Sequence, residues 1–256
     1  MKNSLIRHLD LLKRNGKKAL AILFDPDKAA GMDINGLLEQ IERFDVDMIL
    51  VGGSLVKGNE IHDLIADIKE QSEKPVILFP GSPNQISDAA DGILLLSLIS
   101  GRNPELLIGR HVEAAPLLYQ TDLEILPTGY MLIDSGAYTT AHYVSNTLPI
   151  PHDKPQIAVF TAMAGEMLGL KLIYMDGGSG AKRTVSEEMI RQVSEKLTIP
   201  LIVGGGIRSA EKAREIWAAG ADIIVIGTAM ESEGGENLIE KVSHVKRQFS
   251  LNGKER

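Results

Sequence analysis

The sequence contains no cysteine. Disulfides, iron–sulfur clusters, thiolate zinc sites and a cysteine nucleophile are excluded together. Histidine is equally unhelpful for metal or triad chemistry. The six histidines (His8, His62, His111, His142, His152, His244) show no paired ligand spacing, and none ends an expected strand. His142 and His152 fall in a long polar stretch and read as solvated loop residues. Long apolar runs are also missing. The longest are Ala19–Phe24 and the Ser-interrupted Gly92–Ile99, far short of the roughly 20 residues of a membrane-spanning helix. The N-terminus passes into an amphipathic pattern (Leu5, Leu9, Leu12) without the apolar core of a signal peptide. No integral membrane segment is expected, and the cytoplasm is the expected location. There is no basic excess: 27 Lys and Arg stand against 34 Asp and Glu, a formal charge of −7. Nucleic acid is therefore not an expected partner. No Pro/Gly/Ser-rich linker divides the 256 residues, so residues 1–256 are expected to form one domain.

What is present is a series of short, continuous apolar runs. Eight stand out: Ala19–Phe24, Met48–Val51, Val76–Phe79, Ile93–Ile99, Met131–Ile133, Leu172–Met175, Leu201–Val203 and Ile223–Ile226. Strands buried on both faces of a parallel sheet have this character. Helical spacing separates most of them. Ile34–Phe44 follows Asp33, a suitable N-cap; Ile61, Leu64, Ile65 and Ile68 repeat the pattern, as do Met189, Val193 and Leu197, then Ala210, Ala213 and Trp217. Eight strand signals with intervening helices predict a (β/α)₈ TIM barrel. An open doubly wound sheet would place a glycine fingerprint after its first strand; here that strand runs into Phe24-Asp25-Pro26-Asp27-Lys28. Two connections are irregular. The 13 residues between Phe79 and Ile93, with Pro80, Gly81 and Pro83, barely reach the dozen or so a crossover needs. The stretch from Asp134 to Pro155 is polar, long and poor in aliphatic side chains, which suggests a cover over a site rather than core.

The chemistry gathers at strand ends, where barrel active sites lie. The seventh and eighth strands end in Gly204-Gly205-Gly206-Ile207-Arg208-Ser209 and Gly227-Thr228-Ala229. Glycine lets backbone N–H groups approach an anion, and a following helix N-terminus adds positive potential. The sixth ends in Tyr174-Met175-Asp176-Gly177-Gly178-Ser179-Gly180, which offers N–H groups and a hydroxyl for phosphate, plus Tyr174 and Asp176 for hydroxyl groups. Asp25, held before Pro26, has the character of a Mg²⁺ ligand, since Mg²⁺ takes one or two carboxylates plus substrate phosphates. Ser54 ends the second strand beside it. The competing readings are an Asp-Gly turn at 176–177, a tight packing turn at 204–206 and a helix-capping turn at Asp25.

Together these residues resemble the geranylgeranylglyceryl phosphate synthase family, most closely its second group. The marks are Phe24–Lys28, Gly52-Gly53-Ser54, Leu94–Pro104, Tyr174–Gly180, Gly204–Ile207 and Gly227-Thr228. The resemblance implies a modified barrel whose third helix is replaced by an irregular segment, matching the short connector at Pro80–Gly92. It implies transfer of a prenyl group, geranylgeranyl in the first instance, from prenyl diphosphate to the primary hydroxyl of sn-glycerol 1-phosphate. It implies Mg²⁺ at Asp25 and Ser54, and glycerol phosphate at Tyr174, Met175, Asp176, Gly177, Gly178, Ser179, Gly180, Gly205, Gly206, Gly227 and Thr228. Asp176, with Tyr174, is the candidate catalytic group. A homo-oligomer, dimer or hexamer, is also implied. Two positions depart from the family. Leu23 replaces a Lys found in smaller bacterial relatives, so another cation or backbone N–H groups must neutralise the phosphate. Asp176 stands where Glu is usual. Other activities compatible with the same phosphate site are a phosphosugar isomerase or aldolase, or an inactive phosphate-binding scaffold.

Overall fold

The computed structural model describes residues 4–29, 31, 33–56, 60–227 and 236–252. The chain opens with helix α1 (Leu5–Arg14), then runs β1 (Ala19–Phe24), α2 (Pro26–Ala29), α3 (Ile34–Arg43), β2 (Met48–Val51), α4 (Ile61–Gln71), β3 (Val76–Leu78) and β4 (Gly92–Leu98). It continues with α5 (Gly109–Leu118), β5 (Glu124–Leu132), α6 (Thr140–Ser145), α7 (Pro155–Met167), β6 (Leu172–Asp176) and α8 (Glu187–Ser194). It ends with β7 (Leu201–Gly204), α9 (Ala210–Ala219), β8 (Ile223–Ile226) and α10 (Glu236–Asn252). All eight strands are parallel and close into a barrel in sequence order. Closure is made by β8 pairing β1, from Ala19 opposite Ile223 to Ile22 opposite Ile226.

Alternation along each strand separates two apolar layers. Ala19, Ala21, Met48, Leu50, Ile77, Leu94, Leu172, Ile202 and Val225 point inward and pack together. Leu20, Ile22, Phe24, Ile49, Val51, Val76, Ile173, Val203 and Ile224 point outward and meet the helices. A packed interior leaves no pore. Its lower end is closed by Leu9 and Leu12 of α1, which join the inner layer.

The first turn of α1 is secured from across the chain. The Glu124 carboxylate accepts from Ser4 Oγ at 2.6 Å and from the N–H groups of Leu5 (2.6 Å) and Ile6 (2.9 Å). A helix N-terminus carries unpaired N–H groups and positive potential, so a carboxylate there is stabilising. Burial alone would raise the Glu124 carboxyl; the bonds from Ser4, Ile6 and Leu5 outweigh it and hold the group below its ordinary value.

The expected strands recur with two adjustments. β5 begins seven residues before the expected Met131, because Pro127, Thr128 and Gly129 interrupt its apolar character. Helix α5 was not evident, since only Ala114 of its ten residues is buried and Pro116 lies inside it. Between β3 and β4 there is only a 3₁₀ turn, Pro83–Gln85, as the short connector requires. The Asp134–Pro155 stretch corrects the expectation of an unpacked polar cover: Ile150 is in the core, residues 133 and 150 form a parallel bridge, and Thr139, His142 and Ser145 are buried.

Replacing Glu124 with Ala should lower unfolding stability by about 1–2 kcal/mol, the usual cost of a lost N-terminal cap. Because the folded carboxyl is depressed, this contribution is complete above its ordinary pKa of about 4.3 and disappears as pH falls through the lowered value. Urea unfolding of wild type and variant from pH 7 downward checks both statements: the midpoints should differ at pH 7 and draw together as pH falls through the lowered value.

Candidate active site

The upper strand ends converge on a cleft of about 1010 Å³, lined by Leu23, Asp25, Lys28, Gly53, Ser54, Tyr174, Asp176, Gly178, Ser179, Gly180, Gly205, Gly206, Arg208 and Gly227 among others. Elements distant in sequence supply these residues, and the barrel brings them together. Thr228 lies outside the described residues.

At the end of β1, Pro26 opens α2 and Asp25 is its cap: Asp25 Oδ1 accepts from the Asp27 N–H at 3.2 Å. The capping turn and the cleft-lining role therefore coexist. Lys28 Nζ lies 3.7 Å from Asp25 Oδ2 and donates to Ser179 Oγ at 3.4 Å, across the cleft. Lys28 and Arg208 are the cations among the described lining residues, the candidates for the charge that Leu23 cannot supply. Among the described residues no cluster of three or more His, Asp or Glu is arranged for a metal. The donor set suits Mg²⁺ nonetheless. Asp25 is a single carboxylate facing Gly53, where an added Cβ would stand 3.5 Å from it, and Ser54 lines the same cleft. Mg²⁺ keeps waters and takes most remaining ligands from substrate phosphates.

Asp176, at the end of β6, is buried. Its Oδ2 accepts from Tyr130 Oη at 2.6 Å and its Oδ1 from the Gly178 N–H at 2.8 Å. Burial raises its pKa above the ordinary value, and the bonds from Tyr130 and Gly178 and the nearby His142 oppose that rise. Burial likewise pushes the Tyr130 phenol well up, assisted by the Asp176 charge. Tyr174 packs face to face on Phe79, ring centroids 5.1 Å apart, and edge-on to Tyr130 at 5.5 Å. It belongs to the inner core and to the cleft wall at once.

Several expected contacts are corrected. The Met175 side chain points outward into the helix-facing layer, as alternation demands between Tyr174 and Asp176, so it does not reach the cleft. The Gly177 N–H is used in a bond to the Gly204 carbonyl, 3.1 Å, and the Gly178 N–H is used by Asp176. Ser179, Gly180, Gly205, Gly206 and Gly227 do line the cleft. A Cβ on Gly206 would point at the Arg183 backbone, 3.3 Å away, not into open cleft; on Gly205 it would lie 2.7 Å from the Gly177 nitrogen. Their φ angles are +75° and +86°. These two glycines are needed for the fold of the turn itself. His142 is buried at 5% exposure, not solvated.

Tyr130 precedes the apolar run Met131–Ile133, so strand spacing in the sequence does not mark it. In the register of the barrel it sits directly opposite Tyr174. Together with Phe79, Gly53 and Ser54 it borders a second cavity of about 940 Å³. That cavity is strongly apolar. Its walls are the irregular segment (Pro80, Pro83, Ile86), β4 (Leu94, Leu96, Leu98), the α5 region (Leu106, Ala114) and α6 (Ala141, Val144). The irregular segment that stands between β3 and β4 in place of a helix forms one of its walls. At one wall His111 Nε2 is 3.2 Å from Ser97 Oγ, and burial holds this imidazole below its ordinary pKa.

At the top of this β/α barrel a glycine-lined polar cleft and an apolar cavity meet at Gly53, Ser54, Phe79 and Tyr130, and Tyr130 reaches from that border to the buried Asp176 carboxylate of the cleft. The chain belongs to the PcrB family, whose model matches residues 13–246. It is 53% identical over 238 residues to a geranylgeranylglyceryl phosphate synthase of Spirosoma linguale, covering 93% of this chain and 95% of that one. A protein of the same name from Pyrococcus furiosus is 40% identical over 241 residues, with 93% and 95% covered. The crystal structure of (S)-3-O-geranylgeranylglyceryl phosphate synthase from Thermoplasma acidophilum, in complex with its substrate sn-glycerol-1-phosphate, superposes with a TM-score of 0.88 at 32% identity, covering 96% of this chain and 99% of that chain.

Replacing Tyr130 with Phe removes a charge-assisted bond of the kind worth about 1.5–3 kcal/mol. The Asp176 carboxyl should titrate at higher pH in the variant, observable in carbon-13 NMR of labelled aspartate. Replacing Gly205 with Ala should destabilise the protein by about 1–3 kcal/mol through left-handed strain and the close approach to Gly177. Thermal unfolding measures that loss.

Proposed function

We propose that the chain transfers a prenyl group, with geranylgeranyl diphosphate as donor, to the primary hydroxyl of sn-glycerol 1-phosphate, giving an ether and diphosphate. The observation that carries this reading is the meeting of the polar cleft and the apolar cavity at Tyr130 and Phe79. One cavity suits a phosphorylated triol and the other a hydrocarbon tail. An isomerase or aldolase has no use for the second, and an inactive scaffold has no use for a buried Asp176.

The Gly180, Gly205 and Gly206 turns, with Lys28 and Arg208, hold the glycerol phosphate. Asp176 lies where the glycerol hydroxyl would point. In the reaction, the C1–O bond to diphosphate breaks and its electron pair leaves with the diphosphate. The glycerol oxygen bonds to C1, and its proton passes to the Asp176 carboxylate, whose raised pKa suits a proton acceptor. Asp25 and Ser54 would hold Mg²⁺, which would supply charge stabilisation for a departing diphosphate. Holding both substrates in line contributes much of the rate.

The outer helices support self-association into a dimer or hexamer. Ile108, Val112, Leu117 and Tyr119 in and around α5, and Ile157, Phe160, Met167 and Leu168 in and around α7, are apolar or aromatic and exposed. On α7 only small residues (Ala158, Ala162, Gly165) and Val159 are buried against the barrel. Among the described residues no helix is long and apolar enough to cross a membrane.

Incubating the protein with sn-glycerol 1-phosphate, radiolabelled geranylgeranyl diphosphate and Mg²⁺ should yield labelled prenylglyceryl phosphate. Asp25→Asn should cut turnover by about a hundredfold, the scale of a lost electrostatic contact to developing charge, with an unchanged unfolding midpoint. Near-normal turnover of that variant at saturating Mg²⁺ would place the metal elsewhere. Sedimentation at micromolar concentration should give a mass of two or more chains; a monomer would contradict self-association.

A further inference from the structure

Helix α6 walls both cavities. Ala141, Val144 and Ser145 face the apolar one, while Thr140 lines the phosphate cleft. Its N-terminal residue rests on the active loop: a Cβ on Gly178, at φ +82°, would stand 2.8 Å from Thr139 Oγ1. Gly178 is the residue whose N–H holds Asp176. The placement of this strap and of the candidate catalytic carboxylate are therefore coupled through one glycine contact.

What closes the first turn of α6 is His142. Its Nδ1 accepts from the Thr139 N–H at 3.1 Å and lies 2.7 Å from Thr139 Oγ1, a capping box with histidine in the place Glu or Gln usually takes. A backbone N–H can only donate, so this Nδ1 carries no proton and the hydroxyl donates to it as well. The groups that face the ring are Asp134 from the segment after β5, Asp176 from β6, and the Tyr138 ring, 5.6 Å between centroids. Asp134 is itself paired with Arg183 at 2.7 Å. Burial outweighs the two carboxylates and holds the imidazole below its ordinary pKa, so the neutral ring the cap requires is the form present at neutral pH.

We propose that His142 is a positioning residue for prenyl transfer: by accepting two hydrogen bonds at Nδ1 it staples α6 over the junction of the two cavities, aligning both substrates and keeping water from the reacting carbon. The inference rests on the transfer reading above. Protonation at Nδ1 would remove the acceptor and open the turn. Because the folded pKa is depressed, the staple is complete above about pH 6.5 and is lost as pH falls through the lowered value.

The test uses the full chain with sn-glycerol 1-phosphate, geranylgeranyl diphosphate and Mg²⁺, and follows both ether and free prenyl alcohol from pH 5.5 to 8. At pH 8, His142→Ala should raise the ratio of alcohol to ether and the KM of both substrates, by up to about tenfold, within the range of a lost cap. His142→Gln should restore wild-type values at pH 8, since Gln supplies an acceptor at the same position. As pH falls, the wild-type ratio should rise while that of His142→Gln stays flat. Wild-type ratios and KM values in a folded His142→Ala protein, or identical pH profiles for wild type and His142→Gln, would overturn the proposal. If His142→Ala fails to fold, the comparison of wild type with His142→Gln still decides. Should wild type form no ether at any pH, the transfer reading fails. Amide protection over residues 139–145 then judges the staple alone: it should fall in wild type as pH drops from 8 through the lowered imidazole value, followed down to the lowest pH at which the barrel stays folded, and stay level in His142→Gln, and level protection in wild type across that range would overturn it.

Discussion

A closed eight-stranded barrel fills its own interior with side chains, so a long hydrocarbon substrate has nowhere to lie unless the helical layer gives way. In this chain it gives way between β3 and β4. The connector carries Pro80, Gly81 and Pro83 and is too short for a helix, so it crosses as a single 3₁₀ turn. The space left beside the barrel becomes an apolar cavity walled by the outer end of β4, the α5 region and α6. Everything distinctive about the site follows from that gap. A phosphate cleft alone is common at the top of such barrels; the apolar cavity opening beside it is the feature on which the proposed prenyl donor rests.

The border between the two is aromatic and tightly specified. Phe79, Tyr130 and Tyr174 pack against one another, and the Tyr130 hydroxyl turns back to the buried Asp176. A buried carboxylate without partners would be costly. Here two hydrogen bonds keep it ordered, while burial keeps its proton affinity high. Tyr130 and Gly178 orient the carboxylate at its two oxygens.

Much of this was legible from the sequence because parallel barrel strands are buried on both faces and leave continuous apolar runs. Asp25, Asp176 and the glycine turns stood at the ends of such runs, where barrel chemistry lies. What escaped was of two kinds. β5 and α5 lack the expected pattern, one because Pro127 and Gly129 sit inside it, the other because its apolar residues are on the outside. Tyr130 and His142 take their meaning from contacts that spacing does not reveal: Tyr130 from a carboxylate 46 positions away, His142 from a cap inside a stretch whose polar composition suggests solvent. Met175 shows the opposite case: it stands in the motif, but strand alternation turns its side chain to the helices.

The central claim is that one substrate lies in each cavity, with the reacting atoms meeting at Asp176. A crystal structure of the protein with sn-glycerol 1-phosphate and a non-reacting geranylgeranyl thiodiphosphate tests it most directly. The account predicts phosphate density among Gly180, Gly205 and Gly206, the prenyl tail along Ile86, Leu95 and Leu106, and the glycerol hydroxyl between C1 and the Asp176 carboxylate. A tail bound outside the β3–β4 gap, or a glycerol hydroxyl turned away from Asp176, would contradict it.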